Sequence, residues 1–253
     1  MNDPYVYKDT SILINNLNIK DEKQLDKAES DFVIIAIEKL RKSSFSFNSI
    51  YDCLTIHEEL FSKLYSWAGK LRTINIYKKE KILDGKSIDY VFAEYLKNAL
   101  EELQNEFSKV NWNELDNKEK IEKICYFVSE FWHIHPFREG NTRTTAMMLY
   151  FLIKKANLHI NVEFLSKNSI YFRNALVLSS LYSSSKPEYL LGMVSDCVTS
   201  KNINSNKYET IDGMEVEKYK YNNHTIEKIE TINEVKDWKS KRNVFGSLKV
   251  ISF

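Results

Sequence analysis

Residues 135–143 read HPFREGNTR and are followed by Thr-Thr-Ala at 144–146. The stretch holds a titratable base, His135, a carboxylate, Glu139, a Gly-Asn turn at Gly140 and Asn141, and a cation, Arg143. A neutral imidazole can take a proton from an incoming hydroxyl. A single carboxylate suffices for Mg²⁺, which usually combines one or two protein carboxylates with substrate phosphates. If a helix starts near Asn141 or Thr142, its first N–H groups are unpaired and carry partial positive charge. Gly140 lets the chain turn tightly and lets a ligand approach the backbone. Asn141 adds a side-chain donor, and an arginine in the first turn makes sense if an anion binds there. A base, a phosphate cradle and a magnesium carboxylate together suit phosphoryl or nucleotidyl transfer to a hydroxyl. A second arrangement of the same residues is a metal set of His133, His135 and Glu139, as in a hydrolase.

The elements that must hold this loop are helical. Three prolines and six glycines serve 253 residues, and long stretches between them carry helical period. The pattern predicts an irregular start with a short helix over 3–20. A long helix follows over 21–42, with Leu25, Ala28, Phe32, Ile35 and Leu40 near one face. Another spans 48–69, closing at Gly69. Over 71–87 the period changes to alternation, which predicts a β-hairpin flap around Ile74, Ile76, Ile82 and Leu83. Helices resume over 91–107 and 117–134, the latter burying Ile121, Ile124, Val128 and Phe131. A very apolar helix then starts inside the quoted stretch, and two more span 163–182 and 187–199. In the loop itself Pro136 adds stiffness and Phe137 anchors in the core. Trp67, Trp132, Met147, Met148 and Phe151 read as core. Composition turns polar at Ser200. The expected organisation is a mainly α domain over 1–199, with its core at about 50–160, and an extension over 200–253. Alternation around Asp212-Gly213 predicts a hairpin in that extension, and its last residues a strand.

Net charge is +1, which gives no nucleic-acid footprint. Cys53, Cys125 and Cys197 are widely spaced in apolar stretches and read as buried thiols rather than a disulfide or zinc set. The apolar runs 32–37 and 146–153 are too short to span a bilayer, and the N-terminus lacks the pattern of a signal peptide. A soluble, cytoplasmic protein is expected.

HPFREGNTR resembles the signature of the Fic family, H-x-F-x-[DE]-G-N-G-R-x-x-R. Asp-Pro-Tyr-Val-Tyr at 3–7 and LTIHEELFSKLYSWAGKLRTINI at 54–76 also resemble that family's frame, so the likeness covers roughly residues 3–199. The resemblance implies a helical bundle with a flap over the active site. It further implies a protein adenylyltransferase that moves AMP from ATP to a Ser, Thr or Tyr hydroxyl of a target, its own chain included. His135 would be the general base and Glu139 would hold Mg²⁺. Gly140, Asn141 and the Thr142 backbone would form the anion hole, Arg143 would neutralise phosphate, and Arg138 and Ile76 would border the nucleotide. Flap residues Ile74, Tyr77, Lys78, Ile82 and Leu83 would dock the target by strand addition. Lys78, Lys79 and Lys81 also read as a charged edge that discourages aggregation. A small antitoxin and self-association are further partners the family suggests.

Two positions depart from the signature. Thr142 replaces the second glycine, which confines the backbone there to an ordinary helical conformation while offering a hydroxyl. Ala146 replaces the second arginine, a lost charge-assisted contact worth about 1.5–3 kcal/mol. That arginine also clamps the glutamate of the family's inhibitory helix, [ST]-x-x-x-E-[GN]. The looser pattern occurs at Thr55–Glu59, Ser184–Glu188 and Ser205–Glu209, none followed by Gly or Asn. Ser205 and Glu209 lie where one class carries its inhibitor, yet Glu209 would meet Ala146. Glutamate-clamp inhibition is therefore expected to be weak or absent. The departures keep two other readings open: a kinase or another nucleotidyl or phosphocholine transferase on the same site, and a non-catalytic binding protein.

Overall fold

The computed structural model describes residues 3–181 and 185–199, and the backbone of 219–221 and 224–226. Eight α-helices are described: α1 Glu22–Lys42, α2 Asp52–Phe61, α3 Leu96–Phe107, α4 Asn117–Ile134, α5 Asn141–Lys155, α6 Val162–Lys167, α7 Ser169–Ser179 and α8 Glu188–Thr199. Local chemistry sets their starts. The Asp21 carboxylate accepts the Gln24 N–H at 2.9 Å. Asp116 and Glu119 close a reciprocal capping box at the head of α4.

Helices α4 and α5 pack on each other at the centre, with α2 against α5, α1 outside α2, and α3 and α8 against α4. Phe127, Phe131 and Trp132 of α4 and Met148, Leu149 and Leu152 of α5 are fully buried. Each such side chain contributes about 1.5–3 kcal/mol by leaving water. The pair that brackets the candidate loop is thus the most deeply held part of the fold. Trp67, Trp132, Met147, Met148, Phe151 and the three cysteines are buried as expected.

Several boundaries differ from expectation. Residues 3–20 contain no helix; an isolated antiparallel bridge joins Val6 and Leu13 instead. On α1 the buried residues are Leu25, Val33 and Leu40, while Ile35 is 66% exposed. Helix α2 stops at Phe61, and turns lead to Gly69. Gly69 does adopt positive φ, where an added Cβ would meet the Glu58 Cβ at 3.0 Å. The helix expected over 163–182 breaks at Asn168 into α6 and α7.

The flap is not a β-hairpin. Residues 71–80 and 86–92 are irregular, with a bend at Thr73 and Ile74, on either side of a 3₁₀ turn at Lys81–Leu83, with Asp84 and Gly85 at positive φ. The contacts across it do not make a ladder: the Glu80 N–H donates to the Lys86 carbonyl, the Lys78 N–H to the Ser87 hydroxyl, the Arg72 guanidinium to the Val91 carbonyl and the Tyr90 hydroxyl to the Glu80 carboxylate. The reason lies at the tip. Ile82 and Leu83 are 1% and 0% exposed, so they fold inward with the core rather than extending a ladder. In the extension, Tyr219–Tyr221 and His224–Ile226 form a short antiparallel pair. The Asp212-Gly213 hairpin, the C-terminal strand, Ser205 and Glu209 lie outside the described residues. Among the described residues, no helix is long and apolar enough to cross a membrane.

Candidate active site

His135 is the C-cap of α4, in the left-handed conformation with φ 51, a region where histidine is tolerated better than bulky residues. The bend turns the ring back under its own helix. Its Nδ1 lies 2.9 Å from the Trp132 carbonyl. A carbonyl only accepts, so Nδ1 carries the proton and Nε2 keeps its lone pair. Nε2 is buried and has no hydrogen-bond partner. Tyr90 tilts over the ring at 4.0 Å between centroids, and Trp132 meets it edge-on at 5.1 Å. Burial, and then the nearby Lys78 ammonium, push the imidazole pKa well below its usual value, with Arg72 adding to the effect. The imidazole is therefore neutral at physiological pH.

From His135 the chain crosses to α5 in five residues. Phe137 is fully buried and stacks on His57 at 3.7 Å. Gly140 adopts φ 83, and a Cβ there would stand 2.5 Å from the Phe61 ring. No side chain fits at that point. The Asn141 amide does not face outward as the sequence suggested. Its Nδ2 donates to the Phe137 carbonyl at 2.8 Å, and its Oδ1 accepts the Phe137 N–H at 3.0 Å. Asn141 thus closes the loop with its side chain and offers an anion only its backbone.

That backbone is available. Among the described residues, the N–H groups of Asn141, Thr142 and Arg143 donate to no protein acceptor. They open a 15-residue helix whose N-cap, Gly140, has no side chain. Three free donors plus the helix dipole make an anion cradle. Thr142 stays helical, and its hydroxyl accepts the Trp132 indole N–H at 3.0 Å. One tryptophan therefore fixes the base through its carbonyl and the cradle through its ring. Arg143 pairs with Glu29 of α1 at 2.5 Å and lies over the Phe61 ring at 4.8 Å. Ala146 is one turn further along α5 and brings no charge.

The Glu139 carboxylate accepts from the Lys78 ammonium at 2.9 Å and from the Gly140 N–H at 3.0 Å. Burial alone would raise its pKa. Lys78, the Gly140 N–H and Arg143 prevail and hold it well below the carboxylate range. A permanently ionised, part-exposed carboxylate beside an anion cradle fits Mg²⁺, which would draw its other ligands from phosphate and water. No three His, Cys, Asp or Glu side chains converge as a cage among the described residues. His133 is directed elsewhere, its Nε2 donating to the Asp89 carbonyl at 2.9 Å.

The flap residues divide. Thr73, Asn75, Tyr77 and Lys79 are exposed while Ile74, Ile76 and Lys78 are part-buried, a strand-like alternation. The N–H groups of Asn75, Ile76 and Tyr77 have no acceptor among the described residues. Ile74, Ile76, Tyr77 and Lys78 line a cavity of about 220 Å³ together with Asp3, Asn75 and Arg138. Arg138 is held there by Asp3 at 2.7 and 2.9 Å. Ile82 and Leu83 are a correction to the docking set, since both are in the core.

Sequence reasoning passed over the residues that hold this machinery. The Arg72 guanidinium is 2% exposed and donates to the carbonyls of His135 at 2.8 Å, Ile74 at 2.7 Å and Val91. His57 is fully buried, accepts the Gly69 N–H at Nδ1 and donates from Nε2 to the Glu139 carbonyl. Burial drops its pKa to about 4, the Glu139 carbonyl opposing and Arg143 assisting. Glu80, 2% exposed, takes Arg173 of α7 at 2.9 Å and the Tyr90 hydroxyl at 3.1 Å. Neither His57 nor Arg72 stands in a sequence context that marks it as buried, since each is flanked by polar residues, Glu58 and Thr73.

A sequence profile described as the Fic/DOC family matches residues 47–153. The chain is 30% identical over 220 residues to protein adenylyltransferase VbhT of Bartonella schoenbuchensis, an alignment covering 83% of this chain and 44% of VbhT. It thus spans under half the length of that relative. It is 32% identical over 162 residues to a Sinorhizobium fredii protein named "probable protein adenylyltransferase y4lH", covering 63% of this chain and 79% of the relative. Its fold matches the crystal structure of BepC from Bartonella tribocorum with bound AMPPNP, at TM-score 0.63 and 24% identity, over 78% and 97% of the two chains. With this site and these relatives, the chain belongs to the Fic/DOC family.

Proposed function

We propose that the protein transfers AMP from ATP to a hydroxyl group of a protein substrate. The observation that carries the proposal is the lone pair of His135 Nε2, buried without a partner beside three free N–H groups at the head of α5. A base whose tautomer is fixed from below can act only through that nitrogen. The N–H groups of Asn141, Thr142 and Arg143 would receive phosphate oxygens. Glu139 would hold Mg²⁺, which when bound neutralises phosphate charge. The target hydroxyl gives its proton to Nε2 as its oxygen bonds to the α-phosphorus. The bond from that phosphorus to the bridging oxygen breaks, and pyrophosphate leaves. In-line attack in a preorganised site is mainly a matter of positioning and charge.

The unpaired edge at Asn75–Tyr77 supports docking by strand addition, with Ile74 and Ile76 on the inner face. This mode fixes a hydroxyl's register with little demand on target sequence. Intact-mass spectrometry after incubation with ATP and Mg²⁺, with and without a cell lysate, tests the reading. A gain of one AMP unit on the chain or a target, absent with His135→Ala, is expected. A phosphate-sized or phosphocholine-sized gain would replace it with another transfer, and no labelling in either setting would leave a binding protein.

A further inference from the structure

Lys78 lies on the flap, yet its ammonium is committed to the site. Nζ is 2.9 Å from Oε2 of Glu139, and the side chain is only 18% exposed. Arg143 is the other cation near that carboxylate, at 3.9 Å, and Glu29 already holds it at 2.5 Å. Ala146 supplies no charge. The two cations and the two carboxylates, Glu29 and Glu139, cancel. A polyphosphate entering the cradle brings several negative charges and needs a cation not bound elsewhere.

We propose that Lys78 is a phosphate-binding residue of the nucleotide site, supplying from the flap the cation that Ala146 does not supply from α5. This rests on the reading of the site as a nucleotide site. A magnesium ion draws its ligands from a protein carboxylate and substrate phosphate together, so Glu139 holding it would bring phosphate next to the same carboxylate. An ammonium 2.9 Å from that carboxylate reaches the phosphate by rotation of its own stem. Two cations do not share one carboxylate oxygen without repulsion, so with Glu139 holding a divalent ion the Lys78 ammonium would be free to pair with the phosphate. A lysine suits this exchange, being a point charge on a flexible four-carbon stem, where arginine demands a fixed fork. The backbone carrying it is anchored on both sides: Arg72 ties Ile74, and Arg173 with Tyr90 holds Glu80. The ammonium is thus presented to the site without ordering a mobile loop.

Calorimetric titration of the full chain tests this, using the non-hydrolysable analogue AMPPNP with Mg²⁺ and, separately, adenosine. Lys78→Met is expected to weaken AMPPNP binding about tenfold or more while adenosine binding holds within about twofold, as fits loss of one charge-assisted contact. Lys78→Arg, which keeps the charge, is expected to recover most of the loss. Thermal melting of each variant checks that the flap stays folded. Unchanged or tighter AMPPNP binding by Lys78→Met, or equal weakening toward adenosine, overturns the proposal and makes the lysine a flap pin. A wild-type chain that binds neither ligand overturns the nucleotide reading itself, and this proposal with it.

Discussion

Replacing Arg72 should loosen the flap and the base together. The guanidinium is 2% exposed and donates to the carbonyls of His135, Ile74 and Val91, while its own N–H donates to the Pro136 carbonyl. Among the described residues no carboxylate pairs with it, and its charge is spread over three backbone dipoles. Burial lowers its pKa to about 10, which still leaves it charged at pH 7. Arg72→Met keeps the stem but strips the donors from three carbonyls. Each unsatisfied buried carbonyl costs about 1–3 kcal/mol, against which the relieved desolvation of one cation counts in the variant's favour. A net loss of about 3 kcal/mol corresponds to about 6–12 °C in Tm for a domain of this size. Adenylyl transfer should fall more steeply than folding implies, because the His135 carbonyl sits one bond from the base's own backbone turn. Differential scanning calorimetry gives the first quantity. AMP incorporation gives the second, and hydrogen exchange at 74–91, compared with that of α4 and α5, reads the loosening of the flap. A Tm shift below 2 °C together with unchanged exchange over the flap would refute the claim that Arg72 couples the two.

Gly140→Ala places a Cβ 2.5 Å from the Phe61 ring at φ 83 and should cost about 2–5 kcal/mol in stability; adding Phe61→Leu should return a measurable part in a double-mutant cycle, and strict additivity would count against the clash. Because burial holds the His135 pKa below 6.5, the neutral base persists as pH falls, so kcat should stay level from pH 8 to 6.5 and drop only below that; a drop centred at or above 6.5 would contradict it. His57 titrates near 4 when folded and near 6.5 when unfolded, so the unfolded chain binds the extra proton between them. Stability should therefore be lost as pH falls across that window, by about 1.4 kcal/mol per unit from this site, and His57→Gln should flatten that part of an acid-melting curve. Glu209→Gly should change activity by less than about threefold, since Ala146 offers no clamp for a charge-assisted pair of the usual strength; a tenfold gain would show that an inhibitory glutamate acts through another group.

What the sequence made legible was whatever local chemistry decides. The start of α4 is written in Asp116 and Glu119, and the start of α5 in Gly140 followed by an apolar run. The base, the carboxylate and the helix N-terminus lie within nine residues, so their proximity follows from chain geometry alone. The flap shows the limit. Its alternation is real, with Ile74, Ile76 and Lys78 turned in and their neighbours out. Alternation nevertheless says which side a residue faces, not whether a partner strand exists. Tertiary burial of Ile82 and Leu83 removed the ladder that a two-stranded flap would need. Asn141 shows the same limit at one residue: a donor beside a glycine reads as a ligand contact until the Phe137 backbone, four positions back, takes both ends of its amide.

The supporting residues that the sequence does not mark share a physical type. Arg72, His57 and Glu80 are buried polar groups whose partners are backbone carbonyls and N–H groups, or side chains distant in sequence. Such groups leave no spacing pattern, because a carbonyl accepts from any direction the fold presents. They are also what holds the short motif in place. A histidine at φ 51 would be free to turn were its Nδ1 not held by Trp132 and its carbonyl by Arg72. A glycine turn with no room for a side chain stays in place because His57 bonds the Glu139 carbonyl just before it. The chemistry-bearing residues are therefore local in sequence while their precision comes from outside it. It follows that substitutions of His135 and Glu139 should act chiefly on kcat, while those of Gly140 and Asn141, which hold the turn, and of Arg72 and His57 should move kcat and stability together.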